Sequence, residues 1–285
     1  MHYIILMSFN FEENTFKEMS EFFYDNGYIK IDNALSPEIM VKIKQDLYKA
    51  EGCGLSGSNQ KKSKYKKNDS SRHNMHKCFF ENSPATMDLI ESSKLTDFAQ
   101  HVIRDVPTEH PKGNSLQAHL IHNNAYSVPP DGRGQAPGWH VDDPLQQVII
   151  PEGFNLPSFV RLPVLVATYM IWLTDCETPE NGPTFVVPGS HRSGTTIDTD
   201  LAEKEGIPMC GKAGTAVLVN SNLWHRGCKN SSKVPRETLQ LTFARRIIGH
   251  KFKTIMNYNM PPHVLKNRSE ETSQKMGFQQ GGAYS

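Results

Sequence analysis

A chain of 285 residues, 37% apolar and 21% charged, is long enough to bury a core without disulfide or metal staples. Its 31 Lys+Arg against 30 Asp+Glu leave no bulk charge to drive nucleic-acid or membrane-surface binding. Five widely spaced cysteines (Cys53, Cys78, Cys176, Cys210, Cys228) without a Cys-x-x-Cys pair argue against a disulfide framework and a structural zinc knuckle, while twelve histidines prompt a search for metal ligands.

Phe11, Phe16, Met19, Phe22 and Phe23 recur at helical spacing and stop at Asn26-Gly27. Tyr28 to Asp32 alternates like a short strand. Ser36-Pro37-Glu38 reads as an N-cap with proline at the first helical position, ahead of Ile39, Ile43 and Leu47. From Gly52 to Ser71 the chain is polar. Its basic run, Lys61 to Lys67, reads as a solvated loop rather than a phosphate-binding surface, because no aromatic residues interleave at a readable spacing. A further helical segment is expected from Pro84 to Val106. Beyond residue 115 the texture changes to β-branched or alternating runs at Leu116–Asn124, Leu162–Leu173, Thr184–Val187, Thr215–Val219 and Thr238–Arg246. Turns such as Pro129-Pro-Asp-Gly132 and Pro179-Glu-Asn-Gly182 separate them, and no helix is expected between them. Short strands with regular turns indicate an antiparallel barrel or jelly roll. The expectation is one α+β domain over 1–285, mainly β. Residues 1–115 would be helical support, 116–250 the jelly-roll core, and 267–285 a loose polar tail.

The sharpest local signal is Gly138-Trp-His140-Val-Asp142-Asp. On a strand, residues i and i+2 point the same way, so His140 and Asp142 would offer an imidazole and a carboxylate side by side. One more histidine would complete a facial triad with open positions, the arrangement that suits iron(II). His-x-Asp alone arises by chance in many chains. Two histidines compete for the third place: His191, in the turn Pro188-Gly-Ser-His-Arg-Ser-Gly194, and His225, after the Thr215–Val219 strand. His225 has Arg236 eleven positions on, at the start of the last strand. A guanidinium there offers a planar fork for a carboxylate, which a dicarboxylic keto acid would require.

Taken in order, His140-x-Asp142, Thr178-Pro-Glu-Asn-Gly-Pro183, Pro188-Gly-Ser-His191, His225 and Arg236 resemble the phytanoyl-CoA dioxygenase family, a branch of the iron(II)/2-oxoglutarate-dependent oxygenases. The resemblance runs from Asp25-Asn-Gly-Tyr28 to the Arg236 strand. It implies a double-stranded β-helix, the cupin-like jelly roll, with supporting N-terminal helices. It also implies His140, Asp142 and His225 as catalytic iron ligands, and Arg236 as partner of the far carboxylate of 2-oxoglutarate. His191 would then be structural or lie behind the ligands. Asn124 and Tyr126, from Ile121-His-Asn-Asn-Ala-Tyr126, are candidate cosubstrate contacts, with Lys77 a weaker one. One departure is Gly227, two positions after the distal histidine, where relatives often carry Ser or Thr. Halogenating relatives replace the carboxylate ligand with Ala or Gly; the intact Asp142 therefore points to hydroxylation or a related oxidation (desaturation, epoxidation, cyclisation).

The implied cofactor is iron(II), with 2-oxoglutarate and dioxygen as cosubstrates, succinate and carbon dioxide as products, and ascorbate as an accessory reductant. A small specialised metabolite is the expected substrate, with neither nucleic acid nor membrane as partner. The segment Leu145 to Pro163 is long for a strand connection and reads as a lid or pocket wall, with Arg161 available for an acidic group. No apolar run approaches the ~20 residues that span a bilayer, and Tyr3 to Met7 is too short for a signal h-region, so a cytoplasmic location is expected. The competing readings are a non-catalytic cupin-like binding protein, and a zinc isomerase or hydrolase that would leave Arg236 without a role.

Overall fold

A computed structural model describes residues 7–52, 74–103, 118–134, 136–142, 149–151, 156–251 and 258–278; the Lys61–Lys67 run lies outside them. Nine strands are present among these residues: β1 (Tyr28–Ile31), β2 (Asn74–Lys77), β3 (Ala118–Val128), β4 (Val166–Trp172), β5 (Phe185–Val186), β6 (Ile207–Pro208), β7 (Ala216–Asn220), β8 (His225–Arg226) and β9 (Arg236–Arg245). Six form the larger sheet in the order β1-β7-β4-β9-β3-β2, every neighbour antiparallel. The smaller sheet runs β6-β5-β8, and an isolated bridge between His140 and His225 adds one more segment at its edge.

The period-2 alternation sorts the larger sheet into two faces. Ile29, Ile31, Leu218, Ala167, Tyr169, Ile171, Leu239, Leu241 and Phe243 point one way and join one buried cluster with the helices. Tyr28, Met170, Trp172, Val217 and Val219 point the other way, packing with Val186, Met209, Cys176 and Leu223 of the smaller sheet and its turns. This is a two-layer jelly roll with helices covering the outer face of its larger layer.

Those helices are α1 (Phe16–Asn26), α2 (Pro37–Gly52), α3 (Pro84–Glu91) and α4 (Lys94–Ile103). Thr15 opens α1 through a reciprocal capping box with Glu18. Gly27 closes it in the left-handed region at φ +75°, its N–H donating to the Phe23 carbonyl. A Cβ at Gly27 would lie 2.4 Å from His191 Nδ1 and 2.7 Å from Leu223 Cδ1. Gly27→Ala therefore carries both a left-handed backbone penalty of about 1–2 kcal/mol and a steric clash. A fall in thermal midpoint of several degrees, read by calorimetry, is the expected result.

Three expectations need correction. The single helix from Pro84 to Val106 is two helices. Ser92 closes α3, and the Ser93 hydroxyl accepts from Thr96 N–H to start α4, so local capping outcompetes helix continuation. The strand region is not free of helices, since α5 (Thr199–Glu205), N-capped by Asp198, lies between β5 and β6. Nor is 267–285 a loose end throughout. It follows the short α6 (Pro262–Leu265) and forms α7 (Glu270–Lys275), with Thr272 and Lys275 buried. Thr272 Oγ1 and Arg268 donate to the Glu91 carboxylate and Lys275 to the Glu91 carbonyl. The Thr272 and Arg268 hydrogen bonds hold the Glu91 carboxyl down at about 2, against burial that would raise it. Outside the described residues nothing is assigned to 279–285.

Candidate metal centre

His140 and His225 face each other across a reciprocal pair of backbone bonds, His140 N to His225 O at 2.9 Å and His225 N to His140 O at 3.0 Å. Asp142 N donates to Ser221 O at 3.0 Å, which ties the same segment to the turn between β7 and β8. The imidazole centroids stand 4.2 Å apart, and Asp142 Oδ1 lies 3.6 Å from His140 Nε2 and 3.7 Å from His225 Nε2. Ligand atoms of all three residues fall within 4.8 Å of one another. No strand runs through the segment, so the convergence comes from one bridge and one bend rather than from a continuous ladder.

Each histidine is oriented from behind. His140 Nδ1 lies 2.8 Å from Gly138 O, and His225 Nδ1 lies 2.8 Å from Leu223 O. A carbonyl oxygen only accepts, so Nδ1 carries a proton and Nε2 is the nitrogen turned toward the centre. At His225 burial lowers the pKa, but Asp142 outweighs it and raises it, so without a metal that Nε2 also tends to hold a proton, which a metal would displace. Burial, foremost, lowers the His140 pKa, and the neighbouring His225 adds to that. The Asp142 carboxyl is held at about 2: burial pushes it upward, but the His225 hydrogen bond and the charges of His225 and His140 outweigh that. Two oriented imidazoles and one ionised carboxylate form the donor set that fits iron(II) while leaving positions open. Side-chain exposure is 8% for His225 against 30% and 31% for His140 and Asp142, so the cluster is more accessible to solvent on the His140–Asp142 side.

Arg236 opens β9 and is buried at 4% exposure, on the same face as Thr238 and Gln240. Among the described residues its only hydrogen bond is Nη1 to Cys228 O at 3.4 Å, and its Nε has no partner. Two turns close around it. A Cβ at Gly182 would lie 2.8 Å from Nη1, and one at Gly134 3.3 Å from Nη2. Among the described residues nothing beside it is a counter-ion: burial pushes the Cys176 thiol up to about 12 and raises the Tyr126 phenol, so both are neutral at pH 7. A buried, unpaired guanidinium is costly, and an anionic ligand is the natural remedy.

Tyr126 and Asn124 share that inner face, since β3 pairs with β9 through Tyr126–Thr238 and Asn124–Gln240. Asn124 donates to Gln240 Oε1 at 3.0 Å, while among the described residues its own buried Oδ1, like Thr238 Oγ1, has no hydrogen-bond partner. Lys77 lies opposite Asn124 in the β2–β3 pairing. Thr238 and Gln240 escaped the sequence reading, yet counting in twos from Arg236 names both. His191 is elsewhere: it is buried behind the C-terminus of α1, with Nε2 3.1 Å from Tyr24 O, and burial lowers its pKa to about 4.

Arg161 does not wait for an acidic ligand. Its guanidinium forms a two-pronged pair with Glu21 of α1 and lies 5.3 Å over the Tyr24 ring. Arg192 donates to Val160 O at 2.6 Å and Pro157 O at 2.8 Å, fixing residues 157–161 to the turn after β5. Of the expected lid, residues 145–148 and 152–155 lie outside the described residues.

Residues 23–238 match the family model for phytanoyl-CoA dioxygenase. The chain belongs to the phytanoyl-CoA dioxygenase family. Membership makes it an iron(II)- and 2-oxoglutarate-dependent dioxygenase, an oxidoreductase. Among family relatives, the ectoine dioxygenase of Nocardia farcinica is 26% identical over 255 residues, 80% of this chain and 76% of that enzyme. The iron-bound structure of EctD from S. alaskensis has a TM-score of 0.60 at 20% identity, covering 86% of this chain and 81% of that one. HygX from Streptomyces hygroscopicus, solved with nickel and 2-oxoglutarate, has a TM-score of 0.60 at 14% identity, covering 81% and 88%. These likenesses establish the shared jelly-roll fold. No helix among the described residues is long and apolar enough to cross a membrane.

Proposed function

We propose that this dioxygenase hydroxylates, or otherwise oxidises, a small-molecule metabolite at a centre held by His140, Asp142 and His225, with Arg236 binding the far carboxylate of 2-oxoglutarate. The observation that carries this reading is the buried Arg236 guanidinium, which lacks a carboxylate partner among the described residues and has an unpartnered Nε. A 2-oxoglutarate carboxylate would neutralise it, and the unpartnered Thr238 hydroxyl on the same face can donate to the same anion. The chemistry that iron(II), 2-oxoglutarate and dioxygen supply when bound is oxidation of the substrate coupled to decarboxylation of the keto acid to succinate.

The protein's share is placement and shielding. Gly138 and Leu223 carbonyls fix the two imidazoles, and Asp142 stays ionised so that it can act as the third ligand. Substrate enters from the exposed His140–Asp142 side. Wild-type protein incubated with iron(II), ascorbate and 2-oxoglutarate should release succinate faster when its substrate is added. Ectoine, other small metabolites and acyl-CoA esters form the panel. No succinate above background with any iron loading would favour the non-catalytic binding protein instead.

A further inference from the structure

The backs of the two histidine-bearing segments carry a second, unassigned arrangement. His140 and His225 point inward, so their neighbours Trp139 and Arg226 lie on the opposite side of the smaller sheet. Arg226 is directly paired with Phe185 of β5, and the His140–His225 bridge puts Trp139 on its other flank. Its guanidinium sits between the two aromatic rings, 5.2 Å from the Trp139 centroid and 5.0 Å from that of Phe185. Glu203 of α5 ties the row together: Oε2 accepts from Arg226 Nη2 at 3.1 Å and Oε1 from Trp139 Nε1 at 2.9 Å. Gly206, just past α5, leaves room for the indole, since a Cβ there would lie 2.6 Å from Trp139 Cζ2's neighbour Cη2. Among the described residues the buried Arg226 Nε has no partner, so the group is held by its flanks and by Glu203 rather than by a full set of hydrogen bonds.

This matters because the ligand segment has few other anchors. Among the described residues, 136–142 is tied to the β8 region by the two bridge bonds, by Asp142 N to Ser221 O, and by Gly227 N to Ala136 O. A three-residue row one step away, crossing all three segments, resists the sliding and splaying that would change the distance between the two imidazoles. We propose that Arg226, clasped by Glu203 and flanked by Trp139 and Phe185, is a positioning residue that fixes the spacing of His140 and His225 and so sets metal affinity. The proposal rests on the reading of His140, Asp142 and His225 as metal ligands.

Nickel(II) titrated calorimetrically into chelator-stripped, full-length protein tests it without turnover. Arg226→Met keeps the apolar stem between the rings and deletes the fork; it should weaken nickel binding about tenfold, at the low end of what groups orienting metal ligands contribute. Glu203→Gln, which keeps an acceptor for the indole, should weaken it several-fold, and should add little on an Arg226→Met background. Arg226→Lys should not restore wild-type affinity, because an ammonium cannot stack as a plane. The cobalt(II)-loaded variants should show shifted ligand-field bands. A lowered thermal midpoint of the metal-free variants with nickel affinity within twofold of wild type would overturn the proposal and leave the row a purely structural element. Should Arg226→Met fail to fold, the half-exposed Glu203 keeps the test open through Glu203→Gln. Nickel binding in wild type that His225→Ala leaves intact would instead overturn the ligand reading beneath it.

Discussion

His225→Ala should abolish iron-dependent succinate release and lower nickel affinity by more than about 100-fold, beyond the 10–100-fold that outer partners of a metal site contribute. His140→Ala should do the same. Both rings are pre-oriented by backbone carbonyls, so removing either deletes a fixed donor and leaves Asp142 with a single partner. His191→Ala separates the two roles a histidine can play here. Its ring is buried against α1 and bonded to the Tyr24 carbonyl, so its loss should cost about 1–3 kcal/mol of stability while nickel affinity stays within twofold of wild type. Calorimetric unfolding beside nickel titration reads both. Nickel affinity lost in His191→Ala and retained in His225→Ala would reverse the assignment.

Arg236→Lys should raise the apparent KM for 2-oxoglutarate about 10- to 100-fold, matching the roughly 1.5–3 kcal/mol of a hydrogen bond to a charged group. The ammonium keeps the charge and loses the fork. Arg236→Met makes a sharper contrast. It removes a buried cation that has no ion-pair partner among the described residues, so the unliganded protein should be as stable as wild type or more so. The upward shift of thermal midpoint that 2-oxoglutarate gives the nickel-loaded wild type should vanish in it. An Arg236→Met protein still stabilised by 2-oxoglutarate would place the carboxylate elsewhere.

Much of this was legible in the residues because strand alternation is a strict code. The runs at Thr215–Val219 and Thr238–Arg246 coincide closely with β7 and β9, and counting by twos from Arg236 reproduces the inner face. What escaped was either very short or non-local. β6 and β8 are two residues long, too brief for any period to show. α5 is seven residues with only Ala202 buried, so its sequence carries little amphipathic signal. Arg161 was misread because its partner, Glu21, lies on α1, far away in sequence. Arg236, eleven positions on, and the family resemblance already favour His225 over His191. Each follows a strand and a turn, and the fold shows the first returning to α1 and the second lying opposite His140.

The bridge between His140 and His225 also orders events during biosynthesis. It joins a segment just after β3 to β8, so the two imidazoles meet only after β4, β5, β6 and β7 have been laid down between them. Closing so long a loop is slow, and its entropic cost falls before any ligand bond repays it. A ribosome-bound chain truncated before β8 would have His140 and Asp142 but no site. On the proposed reading, the three ligands are complete only once β8 has been made, and β9, which brings Arg236 to the same face, follows it in the chain.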